Sequence, residues 1–406
     1  MLAIYVDLSK AYDTVSHPKL IQKLQQEFNF SQEATQFFSS YFRNRQQETH
    51  TQNAKSATRT ITHGIPQGST LSTTLFLLYI NNIIHTVPNS KVYTYAASAD
   101  DTTLIITADN TQDLQALAQT ELEHLIQYFH GNNLVPNSKK TIYTLFAHTA
   151  EAAQPLELTI TDEFYNPTIQ HTAVARLLGI YIQSDLKYDA TVSNIVGKLR
   201  RTIQILRYAT TLLDTSYMVQ LYYTHVYPHL IGAISIWGTQ DGAKLYMKPL
   251  IRTHKKIIRI VCNVQPRTST APLMNKLGIL NLQSLYTLRV CAEMHPFVHP
   301  DPKKPNINRP QHEHTCIAVT NIHAHNTRYA KGHIFSPNTN KYSKTRAPKH
   351  TAAHLTEKHS EVWNALPDSL RGTTSLNIFK KELKKTLLAA QAQEHQKTMN
   401  HGHHLA

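Results

Sequence analysis

Apolar positions in this chain fall into short β-rich runs near the N-terminus and into helical stripes further on. Ala3-Ile4-Tyr5-Val6 is such a run, and it ends on Asp7. This is how a short strand delivers one polar side chain to its end. Two more β-rich stretches, Tyr93-Thr94-Tyr95-Ala96 and Thr102-Thr103-Leu104-Ile105, flank the acidic pair Asp100-Asp101. Between the acidic sites, Leu71 to Asn81 predicts an apolar core helix, too short to span a bilayer. Further on, Arg252, Lys255, Lys256 and Arg259 fall on one helical face, with Ile251, Ile257, Ile258 and Val261 elsewhere. Residues 296–350 are rich in Pro, Asn, His and Lys with little periodicity, and read as a linker or disordered basic segment. Periodicity returns at Glu361 to Pro367 and in the amphipathic stretch Leu376 to Leu383, a small helical segment within residues 351–406.

A single Asp at a strand end is ordinarily a turn or cap residue. The order of the pieces points elsewhere. An acidic strand end is followed by the loop Gly64-Ile65-Pro66-Gln67-Gly68-Ser69, then an apolar helix, then an acidic pair between β-rich runs. Carboxylates gathered from distant strands hold Mg²⁺ ions, which prefer hard oxygen ligands. Such a metal pair activates a hydroxyl nucleophile and stabilises a leaving pyrophosphate. The pattern therefore implies nucleotidyl transfer.

Taken together, these motifs resemble the reverse transcriptase of a non-LTR (LINE-like, Jockey/CR1-type) retrotransposon. The resemblance implies an α+β fold: a right-hand polymerase palm, an antiparallel sheet flanked by helices, then a helical thumb and a partly disordered C-terminal extension. The implied divisions are a palm with primer grip at 1–190, a thumb at 191–295, a linker at 296–350 and a helical segment at 351–406. Val6 to Val15 resembles the first palm motif, which makes Asp7 a metal ligand and Tyr12 the steric gate that selects deoxyribonucleotides. A ring excludes a 2′-hydroxyl by contact, where a carboxylate accepts its hydrogen bond. Asp13 would brace the loop. His63 to Ser72 resembles the second motif, with Gln67 and Gly68 near the incoming nucleotide and glycines suited to close backbone approach.

Ser98-Ala99-Asp100-Asp101 stands where the family has Tyr-Ala-Asp-Asp. Either Ser98 replaces the tyrosine, or Tyr95-Ala96 keeps its place and three residues are inserted. Asp100 is the expected catalytic ligand and Asp101 its support. Leu134 to Thr141 resembles the motif that brings Lys140 near the triphosphate, and Leu177 to Ile182 resembles the primer-grip hairpin, with Leu178 and Gly179 at its tip. The implied cofactor is a pair of Mg²⁺ ions, with Mn²⁺ as an alternative; the partners are an RNA template, a DNA primer and dNTPs. The family's fingers and endonuclease precede the first palm motif, so the expectation is a truncated copy. The rival reading is an inactive remnant that only binds nucleic acid. A viral RNA-copying polymerase is disfavoured by Tyr12.

Charge supports a division of labour. Residues 1–190 carry 12 Lys and Arg against 17 Asp and Glu, while residues 191–300 carry 13 against 3. An acidic palm followed by a basic thumb fits a grip on phosphate backbone, with Lys198, Arg200, Arg201, Arg252, Lys255, Lys256 and Arg259 as the candidate contacts. Cys262, Cys291 and Cys316 make no disulfide framework or zinc spacing, which favours an intracellular setting, cytoplasm or nucleus. His312, His314, Cys316, His323 and His325 cluster loosely and lack the spacing of a zinc site.

Overall fold

The apolar run at the N-terminus forms the central strand of a sheet, and everything that positions the acidic site is arranged around it. The structure, a computed structural model, describes residues 1–86, 92–97, 101–146, 154–160, 166–238, 245–299, 317–318, 334–335 and 352–402. It separates into two units, Met1–Leu186 and Lys187–Ala406.

The first unit begins with β1 (Leu2–Val6) and β2 (Leu8–Ser9), then α1 (His17–Gln26) and α2 (Gln32–Phe42). The short pair β3 (Gln46–Gln47) and β4 (Arg59–Thr60) leads to α3 (Ser72–Ile80). Next come β5 (Val92–Ala97), β6 (Asp101–Ile106), α4 (Thr111–Gly131), β7 (Val135–Pro136) and β8 (Ile142–Leu145). Three further strands, β9 (Gln170–His171), β10 (Val174–Leu177) and β11 (Ile180–Gln183), close the unit.

The main sheet has the order β5-β6-β1-β8-β9, antiparallel except for the last pair. Its register pairs Ile4 with Leu104 and with Tyr143. Alternation then gives one face to Leu2, Ile4, Val6, Leu104, Ile106, Tyr143 and Leu145. These share a core with Leu20 and Leu24 of α1, Leu75, Phe76 and Tyr79 of α3, and Leu122, Leu125 and Phe129 of α4. Local signals agree with these helices. The Asn110 side chain caps α4 by accepting from the Asp113 N–H at 2.8 Å, and Ser31 caps α2 from Ala34 at 3.2 Å. The apolar helix expected over 71–81 is α3, with Leu75, Phe76, Tyr79 and Ile80 buried.

The second unit is helical: α5 (Asp189–Ala209), α6 (Thr215–His225), α7 (Tyr227–Ile231), α8 (Ile234–Trp237), α9 (Lys248–Val261), α10 (Thr270–Leu277) and α11 (Leu282–Val298). The short pair β12 (Ile317–Ala318) and β13 (Ile334–Phe335) precedes α12 (Ala352–Asn364), α13 (Asp368–Arg371) and α14 (Leu376–Gly402). Residues 351–406, set apart in the sequence reading, do not stand alone. Val362, Trp363, Leu366, Leu370, Phe379 and Leu383 enter one core with Leu199, Leu206, Trp237, Ile257 and Val290. α11 also runs past 295, through Pro296. Most of 296–350, including all five members of the His/Cys cluster, lies outside the described residues.

Candidate active site

β1 ends at Val6, and its register with β6 pairs Tyr5 with Thr103 and Val6 with Thr102. One further step sets Asp7 opposite Asp101, on the sheet face away from Ile4 and Leu104. Asp101 is exposed at the first position of β6. Asp100, favoured by the sequence reading over Asp101, lies outside the described residues. The last pair of the β5–β6 hairpin is Ala97 with Asp101, and Tyr95 stands opposite Thr103, within the strand pairing.

The turn after β7 fastens Asp7. The Asn137 N–H donates to the Asp7 carbonyl at 2.7 Å, and the Asp7 N–H donates to Thr141 Oγ1 at 3.3 Å. Within the turn, the Lys140 and Thr141 amides both bond to the Asn137 carbonyl. The Lys140 ammonium consequently lies 3.6 Å from Asp7 Oδ2. That separation is an ion pair beyond hydrogen-bond reach, and the lysine side chain is 70% exposed, so the attraction is weak. Asp7 Oδ2 itself is buried and accepts no hydrogen bond. The exposed Lys140 ammonium offsets little of the cost of burying an anionic oxygen, and a hard cation would relieve the rest. Among the described residues no three His, Cys, Asp or Glu side chains stand close enough together to hold a metal ion. Asp7 and Asp101 supply two carboxylates by register.

Tyr12 is half-buried, and its ring stacks on Phe76 of α3 with centroids 4.9 Å apart and planes 17° from parallel. The Tyr12 carbonyl accepts from the Ile65 N–H at 2.9 Å, and Gln67 Nε2 donates to Asp13 Oδ1 at 3.1 Å. Gly64 has φ +91°, and a Cβ there would lie 2.9 Å from the Asp13 carbonyl oxygen. The glycine is therefore required by this chain's own backbone, where the sequence reading had it facing nucleic acid. Gly68, at φ +85°, has no atom within 4 Å of an added Cβ, so its front is open. At the β10–β11 hairpin, Leu178 (φ +47°) and Gly179 (φ +84°) form the two-residue turn between Leu177 and Ile180. Positive φ at both positions matches the twist of a tight hairpin. Leu178 is 56% exposed.

Residues 2–182 match the family described as reverse transcriptase (RNA-dependent DNA polymerase). The chain is also similar to the RNA-directed DNA polymerase from mobile element jockey of Drosophila melanogaster, 22% identical over 262 residues, which cover 63% of this chain and 28% of that protein. The probable RNA-directed DNA polymerase from transposon BS of the same species is 25% identical over 243 residues, covering 59% and 26%. The chain spans about a quarter of the length of these curated relatives. Solved telomerase structures from Candida albicans and Candida tropicalis, each in complex with a TWJ fragment of telomeric RNA, align with TM-scores of 0.37 and 0.34. Their identities are 10% and 11%, over 69% and 71% of this chain and 50% and 46% of theirs.

The first unit thus brings Asp7, Asp101 and Lys140 together, and Tyr12 with Gln67 beside Asp13. His17, whose Nε2 lies 2.7 Å from the Gly64 carbonyl, and Phe76, which stacks on Tyr12, support this arrangement and carry no motif of their own in the sequence. The signal for Phe76 was its place in an apolar helix following the Pro-Gln-Gly loop. The basic residues of the second unit lie beyond the matched region. Arg200, Arg201, Arg252, Lys255 and Lys256 are exposed, and Lys198 is half-buried. Arg259 departs from the expectation of a free cation, because its Nε donates to the Thr268 carbonyl at 2.8 Å. Among the described residues no helix is long and apolar enough to cross a membrane.

Proposed function

We propose that this domain carries out RNA-directed DNA synthesis, adding dNTPs to a primer 3′-hydroxyl. The observation that carries the reading is the buried Oδ2 of Asp7, which accepts no hydrogen bond and has the exposed Lys140 ammonium 3.6 Å away, at the strand end opposite Asp101. Asp7, with Asp100 and Asp101 from the hairpin, would hold two Mg²⁺ ions, or Mn²⁺ in their place. Bound there, they would supply hydroxyl activation and charge stabilisation for in-line attack at the α-phosphorus. The chain's own groups do the positioning. The bonds from the Asn137 N–H and to Thr141 Oγ1 hold the Asp7 main chain, from which its carboxylate is presented. Lys140, already drawn to that carboxylate, is placed to meet a triphosphate or leaving pyrophosphate as a point charge.

Tyr12 would exclude a 2′-hydroxyl, since its ring backs onto Phe76 and has nowhere to retreat. Gln67 and Gly68 would face the nascent base pair, and Leu178 and Gly179 the primer strand. Lys198, Arg200, Arg201, Arg252, Lys255, Lys256 and the remaining guanidinium nitrogens of Arg259 would contact phosphates of the RNA template and DNA primer.

The test is Asp7→Asn in the full chain. Mg²⁺-dependent primer extension on an RNA template should vanish, while RNA/DNA binding stays within about threefold, since phosphate contacts carry most of the affinity. Extension unchanged by Asp7→Asn would sink the assignment. Salt-sensitive binding by the unaltered chain without any incorporation would leave the nucleic-acid-binding remnant instead.

A further inference from the structure

Two loops of the first unit, residues 10–17 and 63–69, are joined by a series of short contacts. Ser16 and His63 form an isolated antiparallel bridge. The Gly64 N–H donates to the Val15 carbonyl at 2.7 Å, and the Ile65 N–H to the Tyr12 carbonyl at 2.9 Å. His17 Nε2 lies 2.7 Å from the Gly64 carbonyl, and because a carbonyl only accepts, that nitrogen must carry the proton. The His17 ring is held in turn by stacking on Phe42, 4.4 Å away and 21° from parallel. These contacts, the His17 ring included, hold the backbone of the second loop. The bond from Gln67 Nε2 to Asp13 Oδ1 instead fixes the side chain of the residue proposed to face the base pair.

An amide has two chemically different ends, one accepting and one donating. A carboxylate only accepts, so Asp13 takes the Nε2 end and leaves Oε1 as the outward acceptor. Asp13 is also the immediate neighbour of Tyr12, whose ring is braced by Phe76. Nothing would hold the Gln67 amide one way round without Asp13, because Gln67 is exposed.

We propose that Asp13 is a positioning residue: it sets the amide orientation of Gln67, so that the loop presents an acceptor to the nucleotide beside the Tyr12 ring. This rests on the reading of residues 2–182 as a nucleotide-incorporating domain, and its test is built to separate the two. With Asp13→Ala the amide is free to present its N–H₂ end, and the loss falls on nucleotide binding. The KM for dNTP should rise about tenfold with kcat changed less, the size of one lost charge-assisted hydrogen bond at an exposed site. Asp13→Asn retains an acceptor oxygen and should recover most of that loss. Asp13→Ala placed on Gln67→Ala should add nothing further, because Asp13 acts only through the Gln67 amide.

The second arm needs no activity. In the full chain labelled with ¹⁵N-glutamine, the Gln67 side-chain amide peak, assigned by its loss in Gln67→Ala, should shift in Asp13→Ala and stay near its place in Asp13→Asn. An unmoved peak in Asp13→Ala, or additive KM effects in the double variant, would overturn the proposal. If the peak responds as expected while the unaltered chain incorporates nothing, the pairing stands and the polymerase reading fails.

Discussion

Replacing Gly64 by alanine tests the junction of the two loops most directly, with Gly68→Ala as its matched control. Both glycines sit at nearly the same positive φ, +91° and +85°. An L-residue there costs roughly 1–3 kcal/mol in backbone strain alone. The two differ in what the new methyl would meet. At Gly68 it meets open space; at Gly64 it would lie 2.9, 3.1 and 3.2 Å from the carbonyl oxygen, Cα and carbonyl carbon of Asp13. Those are backbone atoms and cannot rotate aside. Relief requires the loops to part by a few tenths of an ångström, which stretches the Gly64–Val15 and Ile65–Tyr12 hydrogen bonds. Weakening both adds about 1–3 kcal/mol, at roughly 0.5–1.5 kcal/mol per bond. Gly64→Ala should therefore destabilise the first unit by about 2–6 kcal/mol, and Gly68→Ala by the strain term alone.

The assay follows from the sequence. Both tryptophans, Trp237 and Trp363, belong to the second unit. Urea unfolding read by circular dichroism reports on both units, while tryptophan fluorescence reports on the second and should stay unchanged. Equal losses from the two glycine variants would refute the close approach of Asp13.

Two other predictions concern the second unit. His254 is fully buried, its Nε2 is 2.9 Å from the Tyr222 hydroxyl, and burial pushes its pKa down to about 4. The unfolded chain takes up this proton near pH 6.5 and the folded chain does not. Its contribution is therefore complete above about pH 6.5 and is lost as pH falls to about 4, some 3 kcal/mol in all. His254→Gln should flatten that decline in fluorescence-detected unfolding, and an unchanged slope would contradict it. His229, His295 and His359 are also lowered by burial, so a residual decline of the same sign is expected. Separately, Trp363 is fully buried against Phe379, 5.4 Å between centroids, so Trp363→Ala should cost the second unit about 3–5 kcal/mol. A loss below about 1 kcal/mol, the range of surface substitutions, would mean that α12 and α14 do not belong to that core.

Local pattern made the strands and helices legible, because periodicity reports burial directly. The run ending on Asp7, the buried stripe of α3 and the Gly179 turn all follow from residues within one element. Pairing between elements was less accessible. Adjacent aspartates alternate across a strand, so which of Asp100 and Asp101 shares a face with Asp7 depends on register. That register is set by Val6 opposite Thr102, a contact between residues far apart in the chain. The same limit hid the shared core of the second unit: the stripe Val362, Leu366 and Leu370 signals that something must cover it, without saying that α11 does.

Gly64 shows the difference between a residue type and its reason. A glycine in a Gly-x-Pro-Gln-Gly loop suggests close approach to a ligand, and Gly68 keeps that option open. Gly64 is consumed by the protein itself. Its missing side chain lets the Asp13 backbone close in, the Ile65 amide reach the Tyr12 carbonyl, and Gln67 reach the Asp13 carboxylate. The Tyr12 segment, proposed to select the sugar, and the Gln67 loop, proposed to face the base pair, are thereby tied directly to each other. A substitution that separates them should then disturb sugar selection and base-pair contact together, a coupling that neither motif implies when read alone.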